Sequence, residues 1–343
     1  MIFRFLRFGS SALVAGMCFL FFSCSTNNDG EMQKSDIAGA ISQQVEEDSD
    51  TVSEPIYGDG VVVSEPTDFE FNTDIKKDYL ITIHTAFGDM SLVLYDETIN
   101  HKKNFVKLAS EGFYDSTAFH RVIEGFMIQG GDPNSKTDNT RSYGQGGPGY
   151  TVPGEFNSKF IHKKGALAAA RTGDQFNPQR ASSGSQFYIV HGQTYSESQL
   201  NNMYSQKVYN AKFARIKELI NLPENSSDLQ QALKYQQTGQ KVKYNEIIGK
   251  YDSLAQPFVD SILPGYTDEQ LAIYQEIGGT PSLDMEYTVY GEVVSGLEVI
   301  DTIASQTVGG PQNSLPAEKI IVSVTVELLK KKKITKKTGY EYL

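Results

Sequence analysis

Beyond Asp78 the chain breaks into short apolar runs of period two, each closed by glycine or proline, and this rhythm constrains the fold most. Residues 79–84 and 89–95 read as two strands joined by a turn at Phe87, Gly88 and Asp89. Further strands are expected near 117–123, 126–130, 166–170 and 185–190, and residues 288–294 and 319–329 alternate in the same way. Only two helices interrupt them. One is capped by Thr98 and runs to about Ser110, with Phe105, Leu108 and Ala109 on one face. The other is entered through a capping box of Ser295 and Glu298, with Leu297, Ile300 and Ile303 facing inward. Many short strands with so few helices imply a mainly β fold, a closed antiparallel barrel plugged by helices.

Residues 196–281 do not share that rhythm. Phe213, Ile216, Leu219 and Ile220 recur at helical spacing, Ser226 or Ser227 can cap a second helix, and residues 267–270 open a third that Gly278 and Gly279 close. This stretch reads as a helical insertion in a barrel loop, and the domain around it spans 78–330.

The N-terminal residues belong to neither pattern. Arg4 and Arg7 precede an apolar run from Phe8 to Phe22, which ends at Ser23, Cys24 and Ser25. A basic start, a short apolar core and small residues at the cut describe a secretory signal over 1–23. The run is shorter than the roughly 20 residues that a membrane span requires. Cys24 resembles the lipidated cysteine of bacterial lipoproteins. That resemblance implies a lipid anchor in the cell envelope, and Ser25 after the cysteine implies the outer membrane, with the protein facing the periplasm. Residues 25–77 carry 13 acidic residues against three lysines and only short apolar clusters. Such a composition cannot offset chain entropy by burial, so 24–77 is expected to be an extended tether. The lysines at 330–333, 336 and 337 mark a basic tail over 331–343, expected to be solvated.

Charge and cysteine content exclude several classes. With 42 acidic against 31 basic residues the formal net charge is −11, which argues against a nucleic-acid partner. Cys18 and Cys24 are the only cysteines, so neither a disulfide framework nor a cysteine zinc site is available. The five histidines, at 84, 101, 120, 162 and 191, are too scattered for a short-spaced metal motif. Residues 144–149 are glycine-rich but do not lead into a helix, and they lack the lysine of a phosphate loop. Ser185 is not in a nucleophile-elbow context.

Residues 119–132 read Phe-His-Arg-Val-Ile-Glu-Gly-Phe-Met-Ile-Gln-Gly-Gly-Asp. This closely resembles the signature of the cyclophilin peptidyl-prolyl isomerases. Residues 183–189 and the pair Leu283 and Asp284 followed by 287–293 match further family motifs in the same order. Residues 168–172 look like the bacterial branch. The resemblance implies an eight-stranded barrel with two capping helices, and an enzyme that accelerates rotation about X-Pro bonds in exported proteins. It carries Arg121 and Gln129 over as the catalytic pair, with the amide orienting the guanidinium. It carries Phe126, Met127, Ala170, Tyr188, Leu283 and Tyr287 over as lining of the proline pocket, and Gln186 as a grip on substrate backbone. Three positions depart from the family pattern: Ser282 aligns with a tryptophan, Tyr188 with a phenylalanine and Tyr287 with a histidine. Arg171 stands where eukaryotic members carry asparagine, and the loop 173–182 is lengthened. His120 is read as a hydrogen-bonded core residue without a catalytic role.

The chemistry is consistent with these residue types. An X-Pro amide resists rotation because the nitrogen lone pair is delocalised, with a barrier of about 18–20 kcal/mol. Rotating it requires no nucleophile, metal or cofactor, only a donor aimed at the prolyl nitrogen of the twisted, deconjugated state. A guanidinium suits that task because it is always charged and directional. The expected partners are proline-containing polypeptides, met by a monomer. The alternative is an envelope chaperone or partner-binding module that uses the same groove and the insertion.

Overall fold

The computed structural model describes residues 70–342, so the signal segment, Cys24 and most of the tether lie outside the described residues. Its main sheet has nine segments: β1 (Lys77–Thr85), β2 (Gly88–Leu94), β3 (Thr117–Phe119), β4 (Arg121–Ile123), β5 (Met127–Gly130), β6 (Ala166–Ala169), β7 (Phe187–Val190), β8 (Val289–Ser295) and β9 (Ile320–Lys330). They pair antiparallel in the order β3-β9-β1-β2-β8-β6-β7-β5-β4. The two ends of this order, β3 and β4, are separated in the chain by His120 alone. They are one strand broken at a single residue, and the ring closes through it. Nine segments therefore make an eight-stranded barrel, which leaves no long open edge.

Seven α-helices accompany the sheet among the described residues: α1 (Ile99–Ser110), α2 (Glu197–Ile220), α3 (Ser226–Gln237), α4 (Lys241–Ile262), α5 (Asp268–Glu276), α6 (Leu297–Ala304) and α7 (Lys331–Thr338). Alternate strand residues such as Ile81, Ile83, Leu92, Val122, Ile128, Leu167 and Ile189 point into the barrel. Phe105 and Leu108 of α1 and Ile300 and Ile303 of α6 join the same core, so these two helices cap it.

Both expected N-caps are replaced. The Thr98 side chain makes no capping bond. The Glu155 carboxylate reaches across instead, accepting from the backbone N–H of Asn100 at 3.1 Å and of His101 at 3.0 Å. Ser295 remains paired in β8 opposite Ser91, so it cannot cap α6; Gly296 does so with φ +88°. A Cβ at Gly296 would meet the Asp89 carbonyl oxygen at 2.2 Å, so glycine is required there. The inward face of α6 is consequently Val299, Ile300, Ile303 and Ala304, while Leu297 is exposed.

The stretch 196–281 forms α2 to α5. Helices α2, α3 and α4 enclose their own core of Ile216, Ile220, Ala232, Tyr244, Ile248 and Tyr251. Capping boxes at Ser196 with Gln199 and at Thr267 with Gln270 start α2 and α5, but neither Ser226 nor Ser227 caps α3. Backbone bridges from Gly279 to Gln193 and to Lys163 tie the far end of the insertion to the loop it leaves and to the loop before β6.

Both ends of the domain differ from expectation. Phe71 packs on Tyr79 with ring centroids 5.2 Å apart, and the Asn72 N–H donates to the Tyr79 hydroxyl at 2.7 Å, so the chain before β1 is already docked. The lysine-rich end is a helix rather than a solvated tail. Its Ile334 is fully buried against Leu80 and Val93 on the outer face of the barrel, with Tyr340 and Tyr342 beside it. One apolar residue among exposed lysines is enough to seat it, because the lysine stems can cover apolar surface while their charges stay in water. No helix among the described residues is long and apolar enough to cross a membrane.

Candidate active site

The strand alternation that sends Val122, Ile128, Leu167 and Ile189 inward sends Arg121, Met127, Gln129, Ala168, Tyr188 and Val190 to the outer face. Register then aligns them: Arg121 stands opposite Gln129, Gln129 opposite Tyr188, and Tyr188 opposite Ala168. Gly125, with φ +74°, turns the chain between β4 and β5. Its N–H donates to Nδ1 of His191 at 2.8 Å, while the N–H groups of His191 and Gly192 donate to the Phe126 carbonyl. That clasp holds Phe126 beside Arg121, with the guanidinium carbon 5.9 Å from the ring centre.

A polar relay runs from Arg121. Its Nη1 donates to Oε1 of Gln129 at 3.3 Å, Nε2 of Gln129 donates to Oε1 of Gln186 at 3.2 Å, and Nε2 of Gln186 donates to the Gly146 carbonyl at 2.8 Å. The guanidinium can only donate and the Gly146 carbonyl can only accept, so each amide has a single orientation that satisfies the series. Arg121 forms no ion pair among the described residues, and burial lowers its pKa from the ordinary arginine value, opposed by Tyr287. Among the described residues no carboxylate neutralises the guanidinium, whose hydrogen bonds go to Gln129 and the Met127 sulfur.

Beside it lies an apolar cluster in which buried Met127, Ala168, Tyr188 and Val190 meet the half-buried Phe126, Ala170, Leu283 and Tyr287. All the pocket residues expected from the sequence are thus brought together. Tyr188 and Tyr287 meet edge to face at 5.8 Å, and the Arg171 guanidinium lies over the Tyr287 ring at 4.7 Å. The lengthened loop is braced by ion pairs from Asp174 to Arg171 and Arg180, and from Arg180 to Glu286. Ser282, at the tryptophan-aligned position, is exposed.

Several residues escaped the sequence reading. The Tyr188 hydroxyl lies 2.9 Å from Nε2 of His162, whose Nδ1 lies 2.8 Å from Oδ1 of Asp284. Burial raises the Tyr188 pKa well above its ordinary value, so the hydroxyl remains a donor. Nothing in the local sequence near His162 marks it; only the hydroxyl that Tyr188 adds to a phenylalanine position demands a nearby acceptor. The glycine loop 144–149 carries the Gly146 carbonyl that ends the relay. A Cβ at Gly146 would meet Oδ1 of Asp132 at 2.2 Å, which explains a glycine there. His120 is buried as expected; burial lowers its pKa, opposed by Asp132 and by a backbone contact with Ala118. Ser182, His101 and Glu155 form a serine–histidine–carboxylate series at 2.9 and 2.6 Å. Ser182 is only 2% exposed and Glu155 is occupied in capping α1, so this series offers no accessible nucleophile.

A family model described as cyclophilin type peptidyl-prolyl cis-trans isomerase/CLD matches residues 80–240 and 270–326. The chain belongs to this family. The break in the cyclophilin match, 241–269, falls within the helical insertion. Among curated relatives, a "Putative bifunctional phosphatase/peptidyl-prolyl cis-trans isomerase" of Streptococcus pyogenes is 30% identical over 251 residues, 72% of this chain and 38% of that protein. The chain thus spans well under half of that relative. A "Putative peptidyl-prolyl cis-trans isomerase" of Staphylococcus aureus is 27% identical over 260 residues, 75% of this chain and 97% of that one. Among solved structures, a cyclophilin type peptidyl-prolyl cis-trans isomerase of Cryptosporidium parvum has a TM-score of 0.42 at 19% identity, covering 73% of this chain and 98% of that one.

Proposed function

We propose that this cyclophilin is an active peptidyl-prolyl isomerase that acts on exported polypeptides by holding the proline ring and donating to its nitrogen. The ring sits against Phe126, Met127, Tyr188, Leu283 and Tyr287, with Ala170 at the edge. As the amide twists, its nitrogen becomes pyramidal and regains a lone pair, and Arg121 donates to it. That bond is stronger in the twisted state than in either planar isomer, which is the condition for acceleration. Gln129 aims the guanidinium. Gln186, expected to grip substrate backbone, acts in this reading as the next member of the relay. No covalent intermediate forms.

The observation that carries the reading is a guanidinium with no ion pair among the described residues, oriented by an amide relay beside an apolar cluster. Two-dimensional exchange NMR on a short Ala-Pro peptide tests it. Catalytic amounts of protein should produce cis–trans exchange cross-peaks within a mixing time too short for the spontaneous reaction. Their absence would exclude the activity.

The setting is part of the proposal. The basic start, the apolar run to Phe22 and Cys24 support export, followed by lipidation at Cys24 and residence as a monomer on the outer membrane, facing the periplasm. Cys24→Ala should release the protein into the soluble envelope fraction; unchanged partitioning would defeat the anchor.

One observation favours a second reading, in which the insertion recruits clients or a partner. Val242, Leu254 and Phe258 of α4 are 73%, 63% and 40% exposed. Leu254→Lys with Phe258→Lys should then slow catalysed refolding of a proline-limited protein while leaving peptide turnover unchanged. Equal refolding rates would remove this role.

A further inference from the structure

Asp284 is the point at which the insertion meets the proline pocket. It is 6% exposed, and its carboxylate is held from two sides. Oδ1 accepts from the backbone N–H and Nδ1 of His162, both at 2.8 Å. Oδ2 lies 2.6 Å from the Tyr274 hydroxyl of α5 and 2.8 Å from the Tyr266 hydroxyl just before that helix. Its backbone carbonyl accepts from Nζ of Lys207 in α2 at 2.6 Å. Three donors from the insertion thus converge on a residue that follows Leu283 and precedes Tyr287, two walls of the pocket. On the opposite side His162 passes the contact to the hydroxyl of Tyr188, a third wall.

We propose that the insertion is a positioning element for the proline pocket, acting through Tyr274, Tyr266 and Lys207 on Asp284 and, by way of His162, on Tyr188. This inference rests on the isomerase reading for its substrate, the X-Pro peptide.

The chemistry favours a fixed arrangement over a loose one. A buried carboxylate is costly unless it is fully hydrogen-bonded, so each donor lost leaves charge unsatisfied and drives the surrounding groups to rearrange. Burial alone would raise the Asp284 pKa, but the bonds from His162 and Tyr274 outweigh it and hold the value below the ordinary aspartate range. The group therefore stays ionised and demands its donors. The donors Lys207, Tyr266 and Tyr274 lie in the insertion, apart from the catalytic strands, whereas the residues they hold in place form the pocket. Arg121 and Gln129 are outside this network, so its loss should alter how the ring is bound more than how the nitrogen is served.

The test compares Tyr274→Phe and Lys207→Met with Tyr251→Phe in the full chain. Tyr251 is also a buried tyrosine of the insertion, but its hydroxyl bonds Asp228, away from Asp284. Two readouts are taken: KM and kcat for a short X-Pro peptide, and the methyl resonance of Met127, which packs in one apolar cluster with Tyr188, Leu283 and Tyr287, in the free protein. Tyr274→Phe and Lys207→Met should each raise KM about three- to tenfold with kcat within about twofold, the scale of one ordinary intramolecular hydrogen bond. They should also shift the Met127 methyl. Tyr251→Phe should do neither, even where its thermal midpoint falls as far. If the Asp284-linked variants and Tyr251→Phe alter KM and the methyl shift alike, or none alters either, the inference is overturned. The methyl readout needs no turnover, so a protein without isomerase activity would fail the functional reading while still deciding this one.

Discussion

Arg121 and Gln129 stand directly opposite each other on neighbouring strands, and the amide oxygen of Gln129 accepts from Nη1 of Arg121 at 3.3 Å. The contact aims the guanidinium without neutralising it. A carboxylate at position 129 would do both. Gln129→Glu should therefore lower kcat on the order of tenfold or more, because the donor would be bound to a fixed anion and no longer free for the prolyl nitrogen. Progress curves on an X-Pro peptide check this, and Gln129→Glu at wild-type rate would show that the relay does not matter.

Tyr188→Phe restores the residue type of the family pattern but leaves Nε2 of His162 buried without its hydroxyl partner. Unfolding free energy should fall by about 1–3 kcal/mol, the usual consequence of leaving a buried polar atom unpaired. Urea unfolding would measure it. Unchanged stability would mean that the hydroxyl contributes nothing where it lies.

The cap on α1 makes stability pH-dependent. Burial would raise the Glu155 pKa, but bonds from His101 and from the backbone at Asn100 and His101 outweigh it, so the folded value lies below the ordinary 4.5. A depressed carboxylate contributes stability fully above its unfolded pKa and loses it as pH falls through the folded value. The contribution should be intact at neutral pH and decline from about pH 4.5 downward. Glu155→Gln should be less stable at pH 7, with the difference shrinking in acid. A constant difference across pH 3–7 would contradict the charged cap.

The C-terminal helix should matter to the barrel. Ile334→Ala opens a cavity over Leu80 and Val93 and should cost about 2–4 kcal/mol. Exposed Lys332→Ala should cost almost nothing. Thermal melts of the two variants separate a docked helix from a solvated tail, for which both substitutions would be silent.

How much of this was legible follows from the range over which each signal acts. The period-two runs and the ordered motifs placed every main strand and gathered Arg121, Gln129, Phe126, Met127 and Tyr188 correctly. Alternation along each strand is local, whereas the pairing of distant strands, such as Gln129 with Tyr188, was carried by the order of the family motifs. The caps were misread because their partners are not local. Glu155 reaches α1 from a distant loop, and Ser295 is already committed to β8. The lysine-rich end carries only one buried residue, Ile334, so composition spoke for solvent. Asp284 was visible as part of a motif, but its donors Lys207, Tyr266 and Tyr274 come from an insertion whose packing no spacing in the chain reveals.

The central claim is that Arg121 stabilises the twisted amide, and the most direct test separates binding from turnover. Arg121→Ala should bind an Ala-Pro peptide within about threefold of wild type, since the apolar pocket is untouched, while exchange NMR should report kcat lowered by about ten- to a thousandfold. Its thermal midpoint should remain close to that of the parent, because Arg121 lies outside the barrel core. Wild-type turnover by a folded Arg121→Ala protein would contradict the account.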